Sequence, residues 1–149
     1  MNLSRRSFFA LSGAATIGVG GYAAFSLTMA RADTAATLTP PEAYDAARAG
    51  DILLIDIRRP DEWQATGVPA HAHPIDLRDP EFMEKLRAVR VYDTQPIAVI
   101  CARGVRSARL TRRLADAQLT PIIDIPEGML GSLAGPGWLK HNLPVTQVN

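Results

Sequence analysis

The sequence predicts an α/β fold with a mainly parallel central sheet and helices on both faces. Two observations carry this expectation. Short apolar runs occur at 52–57, 97–100 and 122–125, interrupted only by Asp56 and Asp124, which suits strands buried on both faces. Segments with helical caps or helical spacing stand between those runs, and strands alternating with helices build parallel sheets.

The N-terminus is read apart from the fold. Residues 8–30 carry no charge, Arg5 and Arg6 precede them, and Ala30-Arg31-Ala32 follows as a small-residue exit. A basic start, an apolar stretch and an A-x-A site describe an export signal over residues 1–32. The paired arginines before Phe8 and Phe9 are of twin-arginine type. The expected location is the periplasm or cell exterior. The alternative is an uncleaved segment that anchors the chain in the membrane, the one membrane contact expected. Residues 33–38 read as a linker, and 39–149 as one domain, a size that suits a single core.

Within that domain, Thr39-Pro40-Pro41-Glu42 is a capping box with proline at the first helical position, and Gly50 ends the helix it starts. Ile52 to Ile57 is the first buried strand. Arg59-Pro60-Asp61-Glu62-Trp63 begins a turn or short helix, and Ala72 to Leu77 can form a further short strand. Asp79-Pro80-Glu81 opens a helix to about Arg90 with Phe82, Leu86 and Val89 on one face. Pro96 to Ile100 is the second strong strand. Arg106 to Ala117, with Leu110, Leu114 and Ala117 at helical spacing, is a helix. Pro121 to Ile125 is the third strand, and the remaining tail is rich in glycine and proline around Trp138.

Composition narrows function. The formal net charge is +1. Residues 1–32 hold three arginines and no acid, which leaves 13 of the 16 lysines and arginines against all 15 acids, formally −2. Neither value implies nucleic acid as a partner. The single cysteine, Cys101, excludes an internal disulfide and any multi-cysteine zinc site. The histidines His71, His73 and His141 show no ligand spacing with it, so no metal and no cofactor are expected. A lone thiol outside the cytoplasm gains no disulfide and risks oxidation, which argues for a chemical task.

Cys101 stands at a strand's carboxyl end, where open α/β sheets bind ligands, and so do Asp56 and Arg58. Only Ala102, Arg103, Gly104 and Val105 separate it from Arg106, where a helix begins. Amides of so short a connection, together with the positive end of the helix, stabilise an anion such as a thiolate. Gly104 permits the backbone angles needed, and Arg103 and Arg106 supply positive charge for an anionic substrate. The residues thus read as a nucleophilic cysteine in an anion-binding loop. The plainer alternative is a small buried hydrophobe.

The segment Cys101-Ala102-Arg103-Gly104-Val105-Arg106-Ser107 resembles the active-site loop of rhodanese sulfurtransferases. Leu54 to Trp63 resembles the family's D-x-R-x-x-x-E-[WYF] segment, and Thr66 to Ala72 its G-H-I-P-G-A stretch. Glu127-Gly128-Met129 occupies the place of a G-G turn, and Pro136-Gly137-Trp138 with Leu143-Pro144-Val145 resembles the closing segment. The resemblance covers about residues 38–146 and implies the family's three-layer fold.

It also implies a chemistry. The Cys101 thiolate attacks the outer sulfur of a small sulfur-containing anion such as thiosulfate, and the persulfide passes its sulfur to a thiol, to cyanide or to a protein acceptor. Residues 102–106 would hold the terminal sulfur, Arg106 the leaving group, and Arg103 would face the pocket mouth. Asp56 and Arg58 would brace the loop; a surface ion pair of Arg58 with Glu62 is the alternative. His71 is displaced from the family's wording and receives no role, and Glu127 replaces a glycine that often shapes the pocket rim, which leaves the rim's charge and donor preference open. Other functions remain in view: a sulfur carrier or binding module without turnover, or a cysteine phosphatase or arsenate reductase of the same fold. The phosphatases wrap a tetrahedral oxyanion with five residues between cysteine and arginine; here there are four.

Overall fold

The computed structural model describes residues 36–119 and 121–148. The expected export signal lies outside the described residues. Among the described residues seven strands and four helices follow one another as β1 (Ala36–Thr37), α1 (Pro40–Ala49), β2 (Leu53–Asp56), α2 (Pro60–Thr66), β3 (Val68–Pro69), β4 (Ala72–Pro74), α3 (Phe82–Val89), β5 (Ile97–Ile100), α4 (Val105–Asp116), β6 (Ile122–Asp124) and β7 (Val145–Thr146).

Five strands form one sheet in the order β1-β6-β5-β2-β4, with every pairing parallel. Strand β1 arises at the end of the segment expected as a linker and pairs with β6. It is short and exposed, so hydropathy carries no signal for it. The pair β3 and β7 forms a separate antiparallel ribbon that ties the tail to the middle of the chain.

The caps explain the helix ends. The Glu42 carboxylate accepts the Thr39 backbone N–H at 2.8 Å, and Gly50 closes α1 in the left-handed conformation. At α2, Glu62 accepts the Arg59 N–H at 3.0 Å in the same way.

The core lies on both sides of the sheet because β2, β5 and β6 point alternate side chains to opposite faces. Leu53, Ile55, Ile97, Val99 and Ile122 pack with Phe82 and Leu86 of α3 and Leu110 and Leu114 of α4. Leu54, Ala98, Ile100 and Ile123 pack on the other face with Ala43 of α1 and with Met129 and Trp138 of the tail. Trp138 is fully buried and donates its indole N–H to the Pro144 carbonyl at 3.0 Å. No described helix is long and apolar enough to cross a membrane.

Candidate active site

Adjacent strand ends bring the candidate residues together. Asp56 of β2 stands in register with Ile100 of β5, and the Ile57 N–H donates to the Ile100 carbonyl at 3.0 Å. Cys101 follows directly. By strand alternation it falls on the α4 face, where it is 1% exposed. Its thiol lies 3.6 Å from the Ser107 hydroxyl, which donates to the Gly104 carbonyl at 3.0 Å.

The loop from Cys101 to Arg106 is shaped from outside. The segment after β6 runs alongside it: the Met129 N–H donates to the Cys101 carbonyl and the Leu130 N–H to the Ala102 carbonyl, both at 2.9 Å. Gly104, with φ +82°, is the turn into α4. A Cβ there would stand 2.3 Å from the Pro126 carbonyl oxygen. Gly128 is equally confined, since a Cβ would meet the Ala102 backbone at 2.7 Å. Only glycine allows these two segments to approach so closely.

The Cys101, Ala102 and Gly104 carbonyls are therefore occupied while the donors of the loop are not. The backbone N–H groups of residues 102–106 have no acceptor among the described residues. Those of Val105 and Arg106 belong to the first turn of α4, which leaves its N–H groups unpaired by construction. An anion is the natural partner of such a set.

The arginines divide. Arg58, expected either to brace the loop or to form a surface pair with Glu62, is buried, so the surface reading is corrected. It holds Asp56 bidentately through Nε and Nη2, the closest contact 2.7 Å. Its remaining donors reach the carbonyls of Glu62 and Gly67 and the Thr66 hydroxyl. Burial pushes the Asp56 carboxyl above its ordinary range, and the Arg58 contacts oppose that.

Glu62 pairs with Arg106 instead. The contacts are 2.6 and 2.8 Å, bidentate, at the surface edge of the site. The Arg106 guanidinium holds the Glu62 carboxyl down at about 2, against burial. Arg103 is exposed and donates to the Gly131 carbonyl at 3.4 Å; among the described residues it has no ion-pair partner.

Glu127, whose effect on the rim the sequence left open, is not at an open rim. It is 5% exposed; its carboxylate accepts the Gly137 N–H at 2.9 Å and lies 3.0 Å from His141 Nε2. Gly135 packs against it with no room for a Cβ. The carboxylate is thus a strut that pins the tail against the segment shaping the cysteine loop. His71 is exposed and stacks near Tyr44, away from Cys101 in sequence and contacts. Among the described residues no three His, Cys, Asp or Glu side chains gather as metal ligands do.

Sequence reasoning missed Ser107, Glu62 as the partner of Arg106, and Asp124. The last is buried at the end of β6 with one carboxylate oxygen unpartnered, and burial pushes its carboxyl up. The one available signal was Glu62 in the D-x-R-x-x-x-E pattern. A cleft of about 740 Å3 lies beyond β4, lined by Pro60, Trp63, Ile75, Asp76, Arg78 and Lys85. No residue of the cysteine loop lines it.

These features define a parallel α/β domain with a cysteine-centred, anion-ready loop at a strand's carboxyl end. The chain belongs to the rhodanese-like domain family, which matches residues 39–132. Among solved structures, the polysulfide-sulfur transferase homodimer of Wolinella succinogenes is 26% identical, with a TM-score of 0.60 over 76% of this chain and 80% of that one. Rv0390 from M. tuberculosis is 24% identical, with a TM-score of 0.61 over 78% of this chain and all of that one. A protein from Rhodopseudomonas palustris described as a possible tyrosine phosphatase is 24% identical, with a TM-score of 0.55 over 74% of this chain and 84% of that one. The last two likenesses concern the fold alone. No curated protein matches the chain.

Proposed function

We propose that this domain is a sulfurtransferase that carries a sulfane sulfur as a persulfide on Cys101. The observation that supports it most is the row of unpaired N–H groups at residues 102–106 beside a buried thiol. A persulfide is anionic at its terminal sulfur, and those donors are its natural partners.

With thiosulfate the step balances simply. The Cys101 thiolate attacks the outer sulfur, a new S–S bond forms, the donor's S–S bond breaks, and sulfite leaves with the electron pair. A thiol, cyanide or a protein thiolate then attacks the terminal sulfur and regenerates the thiolate. Cys101 is the catalytic residue; Ala102 to Arg106 bind the moving sulfur; Asp56 and Arg58 position the loop. The chemistry needs no cofactor. The polysulfide-sulfur transferase neighbour supports sulfur transfer as the activity class. We place this activity in the periplasm or outside the cell, on the strength of the N-terminal segment's composition.

Four residues between cysteine and arginine leave a tight loop, which favours one sulfur atom over a phosphate group. The test is thiosulfate-to-cyanide turnover with Cys101→Ser alongside, and mass spectrometry after donor incubation. The expected result is thiocyanate formation and an adduct of one sulfur, about 32 Da, both lost in Cys101→Ser. An adduct without turnover would make the domain a carrier. Release of phosphate from an aryl phosphate without any sulfur adduct would overturn the reading.

A further inference from the structure

The charge around Cys101 is more balanced than three nearby arginines suggest. Arg58 is neutralised by Asp56 inside the core. Arg106 is paired with Glu62, whose two carboxylate oxygens take one donor from each terminal nitrogen; Arg59, whose Nε lies 3.5 Å from the same carboxylate, is itself paired with Asp61 at 3.0 Å. Arg106 stands in the first turn of α4, five residues after Cys101, so the charge of its partner acts on the same loop. Of these three arginines only Arg103, exposed, has no carboxylate partner among the described residues, and the dipole of α4 adds to its charge. A doubly charged donor leaving as doubly charged sulfite would meet one uncompensated cation. A singly charged donor would be matched by it.

We propose that Glu62 sets the charge class of the donor: the site selects singly charged sulfane compounds, of persulfide or thiosulfonate type, over the thiosulfate dianion. This rests on the sulfur-transfer reading and deepens it. Glu62 acts through Arg106 and is a positioning and specificity residue. Its carboxylate lowers the positive potential where the leaving group departs, and that penalty grows with the leaving group's charge. Both reactions balance without a co-reactant. Thiosulfate loads Cys101 and releases sulfite; methanethiosulfonate loads the same sulfur and releases methanesulfinate, which carries one charge less.

The experiment compares single-turnover loading of Cys101 by thiosulfate and by methanethiosulfonate, read by mass spectrometry, in the full chain and in Glu62→Gln and Glu62→Asp. Glutamine keeps an oxygen for the Arg59 N–H at the start of α2, so the helix cap survives. The wild type should load faster from methanethiosulfonate. Glu62→Gln should raise the thiosulfate-to-methanethiosulfonate rate ratio about fivefold or more, the scale of one unit charge near the surface. Glu62→Asp, which keeps the charge, should stay within about twofold of wild type on the same scale.

A second readout does not depend on sulfur transfer: the rate of Cys101 alkylation by iodoacetate relative to neutral iodoacetamide. Glu62→Gln should raise this ratio as well. If neither donor loads Cys101 but the alkylation ratio rises, the charge setting stands and the sulfur-transfer reading falls. If the ratios are the same in Glu62→Gln and wild type, the proposal is overturned. A rise of equal size in Glu62→Asp also overturns it, because geometry and not charge would then be the cause.

Discussion

Arg58 and Arg106 stand near neighbouring strand ends, and each grips a carboxylate with two nitrogens, yet they are built for different tasks. All five N–H donors of Arg58 have acceptors, and both it and Asp56 are sealed from water. Arg106 is 33% exposed and spends its contacts on Glu62 alone, with Nε and one N–H of each terminal nitrogen left over. A saturated, buried pair cannot exchange partners without exposing a charge to the core. A half-exposed pair with spare donors can accept a second anion at little cost. The first therefore fixes the strand end; the second is available to chemistry.

The sharpest break in that contrast is Arg58→Met. It strands Asp56 in the core, and the expected loss is about 3–5 kcal/mol in urea unfolding. Asp56 should then take up a proton. Its folded-state pKa lies above the unfolded 3.8, so the folded state holds a proton that the unfolded chain releases, and stability should fall as pH rises above that unfolded value. A loss under about 1 kcal/mol would remove Arg58 from the role of brace.

The loop between the two arginines gives the next effect. Gly104→Ala places a side chain at φ +82° and against the Pro126 carbonyl. Backbone strain alone costs about 1–3 kcal/mol, and sulfur loading at Cys101 should drop along with stability. Wild-type loading in this variant would show that the loop tolerates a different shape.

The smallest effect belongs to Glu62. Its carboxyl is held at about 2, below the ordinary 4.5. The stability it contributes is present above the unfolded value and lost as pH falls through about 2. That contribution is about 1 kcal/mol at most for a pair open to solvent. Glu62→Gln should flatten the acid limb of the stability profile between about pH 4.5 and 2. An unchanged acid limb would mean that the pair contributes nothing to folding.

Much of the sheet was legible because apolar runs such as 52–57 and 97–100 face cores on both sides, and burial is written in hydropathy. The helix from Pro40 was legible through its capping residues, which act within four positions. The two-residue strands β1, β3 and β7 were not, because they carry too few residues to show a period and depend on distant partners. At the site, Cys101 and its spacing to Arg106 were readable locally. The partner of Arg106 was not: Glu62 lies 44 positions away. Nor was the burial of Glu127, which needs Gly137 and His141 to come back from the tail.

The sequence by itself determined the order of the longer strands and the helices, the place of the one thiol after a strand, and the length of the loop that follows it. Each is a property of adjacent residues and their local geometry. Tertiary structure decided which carboxylate each arginine meets, which of those pairs is sealed and which half-open, and that Gly104 and Gly128 must let two backbones touch. Those outcomes depend on how the ends of β2, β5 and β6 are set side by side, and charge pairing and burial act through space and not along the chain.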